Sequence, residues 1–119
     1  MFPTSDGADL IHFRKHVSEP TEPVLYSIEL PQKHAYFDGH FDGFPVFPGV
    51  AQLELVIKAI ALEVNKNVRV CGIKKAKFLK FVPPGANLIL SLKLSLGHEA
   101  SYELRLDAEC VSKGVLRYG

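Results

Sequence analysis

The chain has few of the features that mark secreted, membrane or nucleic-acid-binding proteins. Its two cysteines, Cys71 and Cys110, are too few for a metal site, and we expect two reduced thiols of a cytoplasmic protein. A formal net charge of +1 argues against bulk attraction to nucleic acid or to a membrane surface. No apolar run approaches the ~18 residues of a membrane helix, and no secretory signal is recognisable.

The composition that is present favours one folded domain over residues 1–119. Hydrophobic residues make up 47% of the chain, which is enough for a substantial core. Residues 1–22 show little pattern, and the sequence holds no internal repeat or low-complexity tract. His12 and His16 are four positions apart, but two imidazoles form an incomplete metal site, so we expect no metal there.

An apolar helix is predicted to begin at Pro48-Gly49 and to end at Val64. Pro48 suits the first turn, because its missing N-H would have had no partner there. Apolar residues form a helical stripe and also cover other faces, at Val50, Leu53, Ile57, Ile60, Ala61 and Val64 and at Leu55, Val56, Ala59 and Leu62. One sheet cannot easily cover such a helix on every side, so a second copy of the chain is expected to cover the remainder.

Alternating apolar and polar residues predict antiparallel strands around this helix. The predicted strands cover residues 24–30, part of 68–82, 88–96, 101–110 and a short last segment ending at Tyr118. Turns or bends are predicted at Gly72, Pro83-Pro84-Gly85, residues 97–100 and Ser112-Lys113-Gly114. This order predicts an α+β fold in which a curved antiparallel sheet wraps one long buried helix.

Two ionisable residues stand out around the start of the helix. His40 lies in a turn-rich loop, and Glu54 follows 14 positions later inside the helix. Considered singly, His40 suits a structural histidine, and Glu54 suits an i, i+4 surface pair with Lys58. Considered together, they supply a base and an acid on either side of a helix N-terminus, whose backbone N-H groups are free to bind an anion.

The string GHFDGFPVFPGVAQLE, which ends at Glu54, resembles the signature GHFPGxPVxPGVxxxE of hotdog-fold 3-hydroxyacyl-acyl-carrier-protein dehydratases. With the YFD that precedes it, the string is most similar to the short aryl-polyene-type (ApeI-like) members. A weaker likeness continues through FLKFVPPGANLIL. The resemblance implies the hotdog fold. It also implies a homodimer, or a higher oligomer of dimers, in which paired subunits form a continuous sheet and the histidine and the acid come from different chains.

The resemblance further implies dehydration of 3-hydroxyacyl thioesters to trans-2-enoyl thioesters, in fatty acid or in polyene or polyketide-type biosynthesis. His40 would be the base, and Glu54 would bind and protonate the departing hydroxyl. The backbone of Gly49, with a further contact at Val46, would bind the thioester oxygen. No metal or redox cofactor is implied, because the substrate arrives on the phosphopantetheine of an acyl carrier protein.

Two residues depart from the family pattern. Asp42 replaces the usual proline, and Lys58 replaces a glutamine that orients the acid in many members. A cation at this position favours ionised Glu54 and opposes the effect of burial. Two other functions therefore stay open. An acyl-thioesterase would use Glu54 to activate water but would leave His40 unexplained, and a non-catalytic acyl-binding subunit of a synthase would have lost its activity.

A basic cluster is the remaining candidate for a partner contact. It consists of Lys74, Lys75, Lys77 and Lys80. An acidic carrier protein would be attracted to such a patch at modest salt. A solvated strand face that resists edge-to-edge aggregation explains the same residues equally well.

Overall fold

The computed structural model describes residues 11–16, 23–32 and 49–119. These residues contain six strands and one helix. In chain order the elements are β1 (His12–His16), β2 (Val24–Glu29), α1 (Gly49–Val64), β3 (Val70–Phe78), β4 (Asn87–Ser95), β5 (Glu99–Leu106) and β6 (Glu109–Tyr118).

The strands form one antiparallel sheet in the order β1-β2-β4-β5-β6-β3. Within the described part of the chain, β1 and β3 are therefore its two edges. The predicted combination of an antiparallel sheet and one long helix is confirmed, and the helix has the predicted ends. Pro48 lies outside the described residues, so its place in the first turn stays a prediction.

The core lies between α1 and the face of the sheet that alternate strand residues present to it. Neighbouring strands match in register, so that Ile28 faces Leu88 and Leu90 faces Leu104. All four side chains are fully buried. Each such side chain contributes about 1.5–3 kcal/mol on burial, which makes this layer the main source of stability.

The sheet buries one face of α1 fully and leaves another face only half-buried, although the sequence is apolar on both. Its fully buried residues are Ala51, Leu55, Val56, Ala59 and Ile60. Leu53 and Ile57, which belong to the predicted stripe, are only half-buried. Because the helix is apolar all round, its periodicity predicts a helix but cannot tell which face meets the sheet.

Two predictions about the C-terminal strands are wrong. The predicted strand over 101–110 is interrupted by a turn at Asp107-Ala108, where Asp107 takes a φ of 56°, a conformation that aspartate tolerates better than most residues. The predicted turn at Ser112-Lys113-Gly114 instead lies within β6. A β-carbon at Gly114 would lie 2.2 Å from the carbonyl oxygen of Lys75. This glycine therefore marks the close approach of β3 and not a turn.

Other turn predictions are confirmed. The register of β3 against β6 shifts between Val70 and Gly72, which is the predicted bulge. Gly85 has a φ of 74° and its N-H donates to the carbonyl of Pro31 over 3.0 Å. The turn between β4 and β5 covers residues 96–98, slightly earlier than predicted.

Strand β1 lies in a region where the sequence shows little pattern. Lys15 Nζ donates to Glu63 Oε2 over 2.8 Å and so joins this edge strand to the end of α1. His16 Nε2 lies 2.5 Å from Ser27 Oγ on β2. Among the described residues there is no group of three or more side chains able to hold a metal ion. In the same residues, no helix is long and apolar enough to cross a membrane.

Candidate active site

Gly49 is the first residue of α1, as the sequence predicts. The first N-H groups of a helix have no partner within the helix, and the helix dipole places partial positive charge there. Gly49 lies against the ring of Phe78, the last residue of β3. A β-carbon at Gly49 would lie 3.2 Å from Phe78 Cε1. The start of the helix is therefore in direct contact with the end of an edge strand.

Glu54 lies on the less covered face of α1 and is half-buried. It lines a cavity of about 270 Å³ between the helix and the sheet. The other lining residues from the described part of the chain are apolar, namely Leu53 and Ile57 from α1, Val70 and Ile73 from β3 and Leu116 from β6. Among these residues, the site combines one carboxyl group with an apolar wall.

This arrangement suits a long apolar substrate with one polar group near its end. The apolar walls can hold hydrocarbon, and the single carboxyl group can bind or protonate an oxygen. Gly49 and Glu54 are five residues apart, which is about 7.5 Å along the helix axis. Glu54 therefore lies roughly one and a half turns from the first residue of α1.

Three residues of the predicted site lie outside the described residues. They are His40, Val46 and Asp42. The pairing of His40 with Glu54, the backbone contact at Val46 and the effect of Asp42 therefore stay predictions. Lys58, one turn after Glu54, is exposed to solvent.

The basic cluster lies along β3 and the segment that follows it. Two of its four lysines are paired with carboxylates. Lys74 Nζ lies 2.8 Å from Glu99 Oε2, and Lys80 pairs with Glu109. Lys75 and Lys77 are exposed, and Lys77 lies opposite Lys113 in the register of β3 and β6. Positive charge therefore remains concentrated at this corner of the sheet.

Sequence reasoning missed four residues of this site. They are Val70, Ile73, Phe78 and Leu116. The usable signal was Ile73, an isoleucine that is followed directly by two lysines and is 53% exposed in the structure. The contact of Phe78 with Gly49 had no sequence signal, because it joins residues 29 positions apart.

Comparison with known proteins gives the family. The model of the ApeI-like family, described as ApeI dehydratase, matches residues 14–115. The chain belongs to this family. Membership of the ApeI-like dehydratases confirms the resemblance carried by the string that ends at Glu54.

Individual relatives agree with the family assignment. Over 111 residues, the ApeI-like chain is 34% identical to the 3-hydroxyacyl-acyl-carrier-protein dehydratase FabZ of Chlamydia trachomatis serovar L2, covering 82% of this chain and 72% of that protein. Over 67 residues it is 42% identical to FabZ of a Hydrogenobaculum species, covering 49% of this chain. In four of the FabZ relatives, including that of Hydrogenobaculum, the region matched by this chain spans only 45% to 64% of the relative's length.

A solved structure supports the fold. A chain of the dehydratase heterocomplex ApeI:P from Xenorhabdus doucetiae superposes with a TM-score of 0.71 at 24% identity. The match covers 90% of this chain and 97% of that chain. The ApeI-like chain therefore has the hotdog fold, as its sequence predicts.

Proposed function

We propose that this protein dehydrates 3-hydroxyacyl thioesters on an acyl carrier protein to trans-2-enoyl thioesters. The observation that carries the proposal is the position of Glu54, the one carboxyl group among the described residues that line an apolar cavity beside a helix that begins at Gly49. Membership of a dehydratase family supports the same reaction. The pathway is that of fatty acids or of polyenes such as aryl polyenes, and the location is cytoplasmic.

In the proposed reaction His40 removes a proton from C2 of the substrate. The resulting electron pair forms the C2=C3 double bond as the C3-O bond breaks. Glu54 donates a proton to the departing hydroxyl, so that water leaves. Negative charge that builds on the thioester oxygen is stabilised by the N-H of Gly49 and the helix dipole, with a further backbone contact at Val46. No metal or redox cofactor takes part.

The functional assembly is a homodimer in which two copies pair along β3. This strand has nine residues and forms an edge of the described sheet. Ile73 on β3 is 53% exposed and lines the cavity. A second copy that pairs with β3 would cover Ile73, extend the sheet and bring its own His40 to Glu54. A distinct relative could take the same place, since ApeI of Xenorhabdus doucetiae is part of a heterocomplex.

The partner that delivers the substrate is an acidic acyl carrier protein. Between Glu63 and Glu99 the chain has no acidic residue and seven basic ones. Lys75 and Lys77 are exposed within this segment. Attraction between exposed charges is screened by salt, so KM for the carrier-bound substrate should rise with ionic strength.

The test offers the purified protein a 3-hydroxyacyl and an enoyl thioester on carrier protein. Loss of water, hydration and release of free thiol are followed separately. We expect reversible dehydration without thiol release. Release of thiol would identify a thioesterase instead, and binding without turnover would identify a non-catalytic acyl-binding subunit.

Substitutions at the two catalytic positions test their roles. His40→Ala and Glu54→Gln should each lower kcat by about 10²–10⁴, the usual contribution of a general base or acid. Glu63→Gln is the matched control, because Glu63 lies on the same helix but pairs with Lys15. It should keep turnover. Full activity of the His40→Ala or the Glu54→Gln protein would remove that residue from the mechanism. Lys58→Gln, which replaces the cation one turn after Glu54 with the residue that many family members carry, should raise kcat.

A further inference from the structure

Phe78 makes an unusual contact for a residue that is 47% exposed. A β-carbon at Gly49 would lie 3.2 Å from Cε1 of its ring and 3.3 Å from both Cδ1 and Cζ. These distances are shorter than ordinary van der Waals contact. The ring therefore occupies the space beside the first residue of α1 that any larger side chain at position 49 would need.

The backbone around Phe78 pairs with β6 through hydrogen bonds. Phe78 lies opposite Ser112 in the register of the two strands. The next N-H, that of Leu79, donates to the carbonyl oxygen of Val111 over 2.8 Å. Val111 and Ser112 are both buried in the sheet. The ring thus extends from the end of β3, which is hydrogen-bonded to β6, to the N-terminus of α1. Helix ends of this kind ordinarily fray.

Core packing does not account for this arrangement. Phe78 is 47% exposed in the single chain, so its packing within the chain contributes less than that of a core phenylalanine. The ring lies directly beside Gly49 and restricts the space open to this residue on the side of β3. In the reaction proposed above, the N-H of this residue stabilises negative charge on the thioester oxygen.

We propose that Phe78 is a positioning residue that fixes the Gly49 N-H for this oxygen. The inference rests on the proposed function. Such a donor must lie within a few tenths of an ångström of its optimal position, and a displacement of ~1 Å can cost about 10² in rate. A glycine at position 49 is then required for the ring to come this close.

The test compares variants that keep or remove the ring. Phe78→Ala should lower kcat by about tenfold or more and change KM by less than about twofold, because it acts on the oxyanion donor and not on substrate binding. Phe78→Tyr keeps the ring and can point its hydroxyl to solvent, so it should keep kcat within about twofold. Phe81→Ala is the matched control, since Phe81 is 66% exposed. It should also keep kcat.

A double-mutant cycle tests whether Phe78 acts through Gly49. Gly49→Ala should lower kcat in the wild-type protein, where the added methyl group meets the ring. In the Phe78→Ala protein the same change should lower kcat less, and the two effects should not multiply. Far-UV circular dichroism and a cooperative unfolding transition establish that each variant is folded, and analytical ultracentrifugation at the assay concentration establishes that it associates as the wild type does.

The outcomes separate this inference from the function on which it rests. A wild-type protein that does not dehydrate the substrate overturns both. If the wild type is active and the Phe78→Ala variant keeps its kcat, with or without a change in KM, the positioning role alone is overturned. Independent effects of the two substitutions on kcat would also overturn it. A selective loss of kcat that tyrosine restores, and that is coupled to position 49, supports it.

Discussion

The two faces of α1 differ in how completely the sheet covers them. We call the residues Ala51, Leu55, Val56, Ala59 and Ile60 the closed face, and each of them is 0% exposed. We call Leu53, Glu54 and Ile57 the open face, which lines a cavity of about 270 Å³. Both faces are mostly apolar. Only the closed face uses that apolar surface fully to stabilise the chain.

The two edges of the described sheet differ in the same way. β1 has five residues, and Lys15 joins it to the end of α1 through Glu63. β3 has nine residues, two register shifts and the exposed apolar side chains of Ile73 and Phe78. A long edge strand with exposed apolar residues favours association with another chain. The β3 side therefore carries the cavity, the proposed partner contact and the proposed chemistry, while the β1 edge is joined to the end of α1 by an ion pair.

The largest effect on stability is expected from the closed face. Leu55→Ala removes a fully buried side chain and should lower the free energy of unfolding by about 2–5 kcal/mol. Leu62→Ala on the same helix is the matched control. Because Leu62 is 48% exposed, its replacement should cost less than about 1 kcal/mol. Urea unfolding measures both. Equal losses would contradict the larger contribution of the buried closed face to stability.

A smaller effect, on association and not on folding, is expected at the β3 edge. Ile73→Lys places a charge at a position that the second copy should bury. Association should therefore weaken by about 1.5–3 kcal/mol. Analytical ultracentrifugation over a concentration series measures this change. Ile89→Lys is the control, because Ile89 is an exposed isoleucine on the central strand β4. If Ile73→Lys associates as strongly as the wild type, pairing through β3 is wrong.

The smallest effect is expected at Tyr102 on β5, which shares a hydrogen bond with buried Ser112 on β6. The two oxygens are 2.9 Å apart. Tyr102→Phe keeps the ring but leaves Ser112 without this partner, and should cost about 1 kcal/mol at neutral pH. Chemical denaturation measures it. The matched change Tyr118→Phe, at a residue whose ring stacks on His98, should cost less.

The same substitution has a defined pH dependence. Burial raises the pKa of Tyr102 above its ordinary value of 10.0. A raised pKa in the folded state means that folding favours the protonated phenol. The stability that the protonated phenol contributes is fully present below about pH 10. It is lost as the pH rises through the raised pKa of the folded state. The stability difference between wild type and Tyr102→Phe should therefore shrink above pH 10. A constant difference would show that the burial of Tyr102 does not influence its titration.

Some features of this protein follow from the sequence alone because their signals are local. The ends of α1 follow from Pro48-Gly49 and from the polar residues after Val64, which act within one turn of the helix. The strands follow from alternation, since successive side chains on a strand point to opposite faces. The family follows from the spacing of His40, Gly49 and Glu54 in one contiguous string. None of these features requires knowledge of distant contacts.

Tertiary structure alone decided which apolar face of α1 is closed, because both faces carry the same kind of side chain and only the sheet distinguishes them. It also decided that Gly114 lies within a strand, where the carbonyl of Lys75 leaves no room for a β-carbon. The ring of Phe78 reaches Gly49 for a similar reason, since the pairing of β3 with β6 places it there. Such contacts join residues far apart in the chain, and local patterns carry no information about which distant residue will fill a given space.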